Sequence, residues 1–195
     1  MRRKVLVTAV TFAIALTGGC LSALAQTNKS ASQPGHMDPW TRGPANESDL
    51  VQKIRHNILM LPYYGVFDDL GFRVDGGTVT LLGEVVRPTL KSDAENAVKK
   101  IPGVTSVVNS IEVLPLSPDD DQIRFAAYRA IYGDEGLAPR YAYSATQAIH
   151  IIVKNGHIRL EGVVANEMDK NLIGIRANGV HNAFSVENDL KVEGK

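Results

Sequence analysis

The sequence VDGGTVTLLGEV at residues 74–85 returns as VKNGHIRLEGVV at residues 153–164, an offset of 79 positions (153 − 74). The alignment extends without a gap over residues 74–113 and 153–192, and ten of these 40 positions are identical. Most of the identical residues are glycines, valines and leucines, the residue types that set backbone geometry and build a core. The pattern indicates a tandem structural duplication.

Each copy starts with a predicted β-hairpin. In the second copy Asn155-Gly156 separates two apolar runs, and this dipeptide is the strongest short signal for a two-residue turn. In the first copy Asp75-Gly76-Gly77 occupies the same place. Gly83 and Gly162 fall inside the return strands, and a glycine within a strand indicates a bulge or the close approach of another segment.

A helix and a last strand follow each hairpin, and another helix precedes it. Residues 88–101 carry an apolar stripe at helical spacing, and residues 104–113 alternate as a strand does. The stripe consists of Leu90, Ala94, Ala97, Val98 and Ile101. Asp49 is predicted to cap the first opening helix, and the second is predicted to start after the acidic residues 119–121, which favour a helix N-terminus. The element order of each copy is therefore α-β-β-α-β.

The N-terminus has the organisation of a secretion signal. Positive residues 2–4 precede an uncharged, mostly apolar run at 5–16, which is shorter than the roughly 20 residues that span a bilayer. Residues 1–25 are therefore predicted to be a signal peptide. Cleavage after Ala25 gives a soluble product, whereas use of the lipobox-like residues before Cys20 makes this cysteine a lipidated anchor.

The rest of the chain divides into four parts. Residues 26–47 are polar and are predicted to form a flexible leader, because they cannot bury enough apolar surface to become ordered. The first module is predicted at 48–114 and the second at 119–195. The linker at 115–118 is short and contains two prolines, one at each end, so the modules are expected to have a restricted relative orientation.

The repeated pattern resembles the BON domain. The first copy supplies Val-x-x-Gly-x-Val-x-Leu-x-Gly-x-Val at 74–85 and a Val-x-Asn-x-Ile strand at 107–111. The second copy supplies the matching pattern at 153–164 and 186–190. The resemblance covers roughly residues 47–195.

The resemblance implies an α+β fold with two tandem modules, each a three-stranded sheet with two helices packed on one face. It also implies a bacterial protein of the periplasm or the outer membrane, with roles in envelope stress and in phospholipid binding. The family brings no catalytic residues. The second copy departs from the pattern at His181-Asn182, where the first copy has Pro102-Gly103, so this turn is expected to differ.

Composition and motifs argue against several function classes. The 21 Lys and Arg residues balance 21 Asp and Glu residues, which is not the charge pattern of a nucleic-acid binder. A single cysteine and five histidines without HExxH spacing indicate no metal site. The predicted turn makes His150 pair with Glu161 and His157 with Lys154 as ordinary cross-strand neighbours. We therefore expect neither an enzyme nor a cofactor.

The helix predicted over 122–132 is apolar on two sides. Its first side consists of Ile123, Ala127, Ala130 and Ile131. The other side, called the aromatic face here, consists of Phe125, Tyr128 and Tyr132. The first opening helix is mostly polar at the matching positions, and only one side of a helix can pack on its own sheet.

Two explanations of the aromatic face are open. It is covered by the other module or by the 133–147 segment, which is six residues longer than its first-module counterpart. Alternatively, it is a binding surface for lipid headgroups or a protein partner, flanked by Arg124 and Arg129, because aromatic side chains and arginine suit both kinds of contact.

These observations predict a secreted, non-enzymatic binding or scaffold protein of the cell envelope. Its expected partner is membrane phospholipid or an envelope protein. The alternative is an assembly component that forms oligomers through an exposed strand, or a carrier of a small ligand. The oligomeric state stays open.

Overall fold

The computed structural model of the chain describes Met37, residues 48–144 and residues 147–193. The predicted signal peptide, with Cys20 and Ala25, lies outside the described residues, and so does the predicted leader apart from Met37. The described part forms two α+β modules, as the sequence predicted.

The first module contains two helices and a mixed sheet. Its elements are α1 (Asp49–Leu59), β1 (Asp69–Asp75), β2 (Thr78–Val85), α2 (Pro88–Lys99), β3 (Ser106–Asn109) and β4 (Glu112–Val113). Strand β2 lies in the middle, antiparallel to β1 and parallel to β3 and β4. Since β3 and β4 both run along β2, they form one last strand with an interruption at Ser110-Ile111.

The second module repeats this topology and adds a short helix. Its elements are α3 (Pro118–Tyr132), α4 (Ala138–Tyr141), β5 (Ile149–Lys154), β6 (His157–Val164), α5 (Glu167–Asn178), β7 (Ser185–Asn188) and β8 (Lys191–Val192). Strand β6 is the central strand. The predicted hairpin register is confirmed, because His150 lies opposite Glu161 and Lys154 lies opposite His157.

Each module has its own hydrophobic core between the helices and one face of the sheet. In the first module Phe72 and Leu81 pack with Ile54 of α1 and Leu90 of α2. The second core is built in the same way from α3, α5 and the alternate residues of β5 and β6. Both helices of a module thus share one face of its sheet.

The two in-strand glycines allow the neighbouring strand to come very close. Gly83 and Gly162 have φ values of 113° and 131°. A Cβ at either position would lie 2.1 Å from a carbonyl oxygen, that of Asp69 or that of Ala148. The predicted close approach is confirmed, and it explains why both copies have glycine here.

A repeated asparagine explains the interruption in the last strand. The Asn109 side chain donates to the carbonyl of Lys91 in α2 at 2.9 Å and accepts from the Ile111 N–H at 3.2 Å. Asn188 makes the matching bonds to Lys170 and Leu190. The asparagine thus joins helix to strand and satisfies an N–H where the β-ladder is broken.

The helix starts differ from the prediction by one or a few residues. Ser48, rather than Asp49, caps α1, and Asp49 is the first helical residue. Ser117 caps α3, which begins at Pro118, so the three aspartates lie in its first turn instead of before it. A serine hydroxyl is as good a cap as a carboxylate, and acidic residues are also favourable in the first turn.

Asp120 has a further structural role. It is buried, and its carboxylate accepts from the N–H groups of Asn155 at 3.0 Å and Gly156 at 2.7 Å. The start of α3 is thereby fixed to the β5–β6 turn. These two hydrogen bonds compensate for the burial of the Asp120 carboxylate.

The longer segment of the second module is anchored on a buried aspartate. Asp169 accepts from Arg140 at 2.9 Å and from the Tyr141 hydroxyl at 2.6 Å, while Tyr141 also accepts from the Ala165 N–H. The first-module counterpart of Asp169 is Leu90, an apolar core residue. The second module thus has an aspartate in α5 where the first has a leucine in α2, and this aspartate binds the additional helix α4.

Direct contacts join the two modules. The Ile151 N–H donates to the carbonyl of Val66 at 2.7 Å, and His150 Nδ1 bonds to the carbonyl of Asp68 at 2.6 Å. His150 is buried, and burial lowers the pKa of its imidazole. The orientation of the modules is thus set by this interface in addition to the linker.

Charges of opposite sign also meet at this interface. Arg159 is paired with Glu84, and Lys154 Nζ lies 2.6 Å from a Glu112 oxygen. The hydrogen bond to Glu112 raises the pKa of Lys154. The first module contributes carboxylates and the second contributes cations.

The outer edges of the two sheets are covered at equivalent positions. Phe72 in β1 exchanges two backbone hydrogen bonds with Met37, at 2.6 and 2.8 Å. Ile151 in β5 is its counterpart at the offset of 79. The Ile151 N–H donates to the carbonyl of Val66 instead. Met37 belongs to the predicted leader, and it is the one leader residue that the structure describes, bound at the edge of the first sheet.

Candidate functional site

Helix α3 separates the residues of the predicted site into a buried and an exposed group. Its core side is confirmed for Ile123, Ala127 and Ile131, which pack in the second core. The aromatic face lies on the other side of the helix. Its last residue, Tyr132, is buried, whereas Phe125 and Tyr128 are exposed.

Two predicted site residues are buried and therefore do not form part of an exposed surface. Tyr132 donates its hydroxyl proton to the carbonyl of Ile149 at 2.6 Å, and burial raises the pKa of this hydroxyl. Arg124 donates to the carbonyl of Val153 at 2.7 Å and to Asp121 at 2.5 Å. A helical wheel places both residues beside the surface, but these acceptors allow their polar groups to be buried.

Phe125 and Tyr128 remain accessible, with 56% and 39% of their surface exposed. Phe67, from the first module, contacts both rings edge-on at centroid distances of 5.5 and 6.1 Å. The other module thus covers one edge of this pair and leaves the rest open. Sequence reasoning missed Phe67, because it lies in a loop outside the aligned repeat.

Arg129 is exposed one helical turn after Phe125. Phe67, Phe125, Tyr128 and Arg129 together are called the contact surface below. It combines three aromatic rings from two modules with one cation. The matching positions of α1 are Gln52 and Arg55 for the two α3 aromatic residues, so the first module lacks this apolar pair.

Helix α5 adds exposed apolar residues that the sequence analysis did not single out. Met168 and Ile175 are 78% and 66% exposed. Their first-module counterparts at the offset of 79 are Thr89 and Asn96, both polar. The repeat alignment already contained this signal. Ile175 also lines a shallow groove of about 510 Å³ beside Arg129, which places α5 next to the contact surface.

Within residues 48–144 and 147–193, no group of three His, Cys, Asp or Glu residues is arranged to hold a metal ion. None of the helices in that part of the chain combines the length and the apolar character required to cross a bilayer.

Comparison with known proteins identifies the repeat. Residues 46–115 and residues 119–194 each match the family model of the BON domain. No match to a curated protein was found.

Two solved structures of CdsD, a structural protein of the type III secretion system of Chlamydia trachomatis, are similar to the chain, one of them described as its C-terminal domain. The identities are 15% and 16%, with 75% of this chain and 94% and 98% of those chains covered. The TM-scores of 0.29 and 0.27 are too low to carry an argument.

Proposed function

The chain belongs to the BON domain family, and on that premise we propose that it is a non-enzymatic envelope protein that binds phospholipid surfaces through its second module. The contact surface on α3 is the proposed site. Export by the 1–25 signal places the protein in the periplasm, either soluble or held at the outer membrane by a lipidated Cys20. A role in envelope integrity or stress follows from the family resemblance.

One observation carries the proposal. Two large aromatic side chains are accessible on α3 at positions where the otherwise equivalent α1 has polar residues. Part of each ring packs on Phe67, but the remaining exposed part costs solubility, so a contact with another surface is a physical reason to keep two large aromatic side chains here.

The contact surface has the composition that an interfacial site requires. Aromatic rings partition into the boundary between headgroups and acyl chains, with the Tyr128 hydroxyl able to stay hydrated. Arg129 supplies a guanidinium for a lipid phosphate. Ile175 on α5, which lines the same groove as Arg129, extends the apolar area beside it. A surface of this size supports reversible rather than permanent attachment.

Vesicle sedimentation tests the proposal. The double variant F125S/Y128S is expected to bind phosphatidylglycerol-containing vesicles at least tenfold more weakly than the unchanged protein, because burying a side chain of this size contributes roughly 1.5–3 kcal/mol when burial is complete. M168S/I175S is expected to have a smaller effect. Melting temperatures should fall only slightly, since all four side chains are exposed and the two aromatic rings contact Phe67 only edge-on.

Tyr143 offers a matched control, because it is an exposed tyrosine of the same module outside the contact surface. Y143S should retain full vesicle binding. Unchanged binding of F125S/Y128S, or an equal loss in Y143S, would contradict a specific site on α3. A protein that binds an envelope partner and no vesicle would shift the proposal to the alternative partner class.

A further inference from the structure

A second groove lies at the opposite end of α3 from Tyr128. It has a volume of about 480 Å³ and is open to solvent between the start of α3, the β5–β6 turn and the loop before β7. The side chains relevant to binding are those of Asp119, Gln122, Asn155, Asn182 and Phe184. The contact surface does not include any of them.

The duplication provides an internal reference for this groove. Asn155 and Asn182 have φ values of 53° and 67°, and their first-module counterparts Gly76 and Gly103 also have positive φ. Both modules thus need a left-handed backbone here. The first uses glycine, which adopts this conformation without steric cost, whereas the second uses asparagine and places two side-chain amides at the groove.

Phe184 is the third difference between the modules at this corner. Its counterpart is Thr105, and in both modules this residue packs on a glycine of the hairpin turn. A Cβ on Gly156 would lie 2.7 Å from the Phe184 ring. The ring thus packs on the Gly156 backbone. It contacts the His157 ring edge-on, with the ring centroids 5.8 Å apart, and Phe184 remains 78% exposed.

The polar groups of the groove are available for a ligand. Among the described residues, the side-chain amides of Gln122, Asn155 and Asn182 make no hydrogen bond with the protein. Each amide offers both a donor and an acceptor, and Asp119 adds an acceptor. Asp120 is not available, because its carboxylate is bonded to the N–H groups of Asn155 and Gly156.

The lining indicates the charge of the ligand. No Lys or Arg is found among the described residues that line the groove, so its charged side chains are all carboxylates, which would repel an anionic ligand. A quaternary ammonium is bound by several aromatic rings that enclose it, whereas here one ring lies at the rim. Neutral amides around one exposed ring fit hydroxyl groups on an apolar face, which is the chemistry of a sugar ring.

We propose that this groove of the second module binds a neutral saccharide, which stacks on Phe184 and forms hydrogen bonds with the amides of Gln122, Asn155 and Asn182. This site is independent of the lipid site on the contact surface. An envelope protein with both sites would bridge a membrane and a glycan.

Amide-resolved NMR titration of the whole purified protein with maltotriose and with triacetylchitotriose tests the site. At least one of these trisaccharides should produce saturable shifts at residues 155–156 and 182–184, with millimolar affinity. F184T, which introduces the first-module residue, should weaken binding about fivefold. N155G/N182G should weaken it about threefold, and it introduces no backbone strain because glycine accepts both φ values.

Three results would overturn the proposal: no saturable shift at the groove with either trisaccharide, unchanged affinity in F184T, or tighter binding of choline than of the saccharides at the same amides. Y143S serves as the control and should bind like the unchanged protein. Vesicle binding by F184T should be unaffected, which separates failure of this site from failure of the contact surface.

Discussion

The two modules have the same fold and different surfaces. Several residues that are identical in both modules hold the backbone or build the core, as Gly83 and Gly162 do beneath a neighbouring carbonyl and Leu81 and Leu160 do in the two cores. Where a polar residue of the first module is replaced by an apolar one in the second, the new side chain is often exposed, as Phe125 and Phe184 are. The comparison indicates that the scaffold is common to both modules and that both surfaces proposed here for binding involve residues in which the second module differs from the first.

The largest expected effect tests whether the scaffold is truly equivalent. G83A and G162A should each destabilise the protein by about 3 kcal/mol or more, because a Cβ at positive φ also collides with a carbonyl oxygen. Urea unfolding measures both. Gly76 is the matched control, because it has φ 59° and open space around its Cβ, so G76A should cost only about 1 kcal/mol.

If only one of the two glycine variants is destabilised strongly, the modules do not use this position in the same way. The equivalence of the repeat would then be limited to its sequence.

A position at which the modules differ gives the next effect. D169L introduces the first-module residue and should cost about 2 kcal/mol, because the buried Tyr141 hydroxyl loses its acceptor and Arg140 loses its partner. Thermal unfolding provides the measurement, and Y141F, which removes only one hydroxyl, should cost less. Unchanged stability in D169L would show that α4 is held by apolar packing alone.

The module interface predicts a dependence on pH. The folded pKa of His150 lies below its ordinary value of 6.5 because of burial. The unfolded chain therefore takes up this proton first, so the stabilisation is complete above pH 6.5 and is lost as the pH falls through the folded pKa, by at most about 1.4 kcal/mol per pH unit. Burial also raises the pKa of Asp68 above its ordinary value of 3.8. Its effect on the free energy of unfolding has the opposite sign, because the folded protein takes up this proton first, and it acts at lower pH.

Urea unfolding at pH 7.5 and pH 5.5 measures this loss. H150Q should have a clearly smaller loss than the unchanged protein, whereas H157Q, at the exposed end of the same hairpin, should behave like the unchanged protein. An equal loss in H150Q would place the titrating group elsewhere.

The sequence predicted the elements that local chemistry determines. Asn155-Gly156 fixes the hairpin register, because few residues accept positive φ at both turn positions. Gly83 and Gly162 could be recognised as sites of close approach because each is a glycine within a predicted strand. Helix starts were less accurate, since Ser117 and the aspartates after it are all acceptable near an N-terminus.

The site was predicted only in part, because contacts between modules are not visible in local patterns. Phe67 lies far from α3 in sequence and meets Phe125 only once the modules pack. Arg124 was expected at the surface, yet the carbonyl of Val153 provides a buried acceptor that a helical wheel cannot represent.

The smallest effect separates the two tyrosines of the aromatic face. Tyr128 and Tyr132 stack at a centroid distance of 4.9 Å, but only the Tyr132 hydroxyl is buried and bonded, to the carbonyl of Ile149. Y132F should cost about 1 kcal/mol, because it leaves that acceptor unpaired, while Y128F should change the free energy of unfolding by less than about 0.5 kcal/mol. Urea unfolding resolves the difference, and vesicle binding should be unaffected by Y132F. Equal costs would mean that the aromatic face is uniformly core, and the division of α3 into a structural and a contact part would then fail.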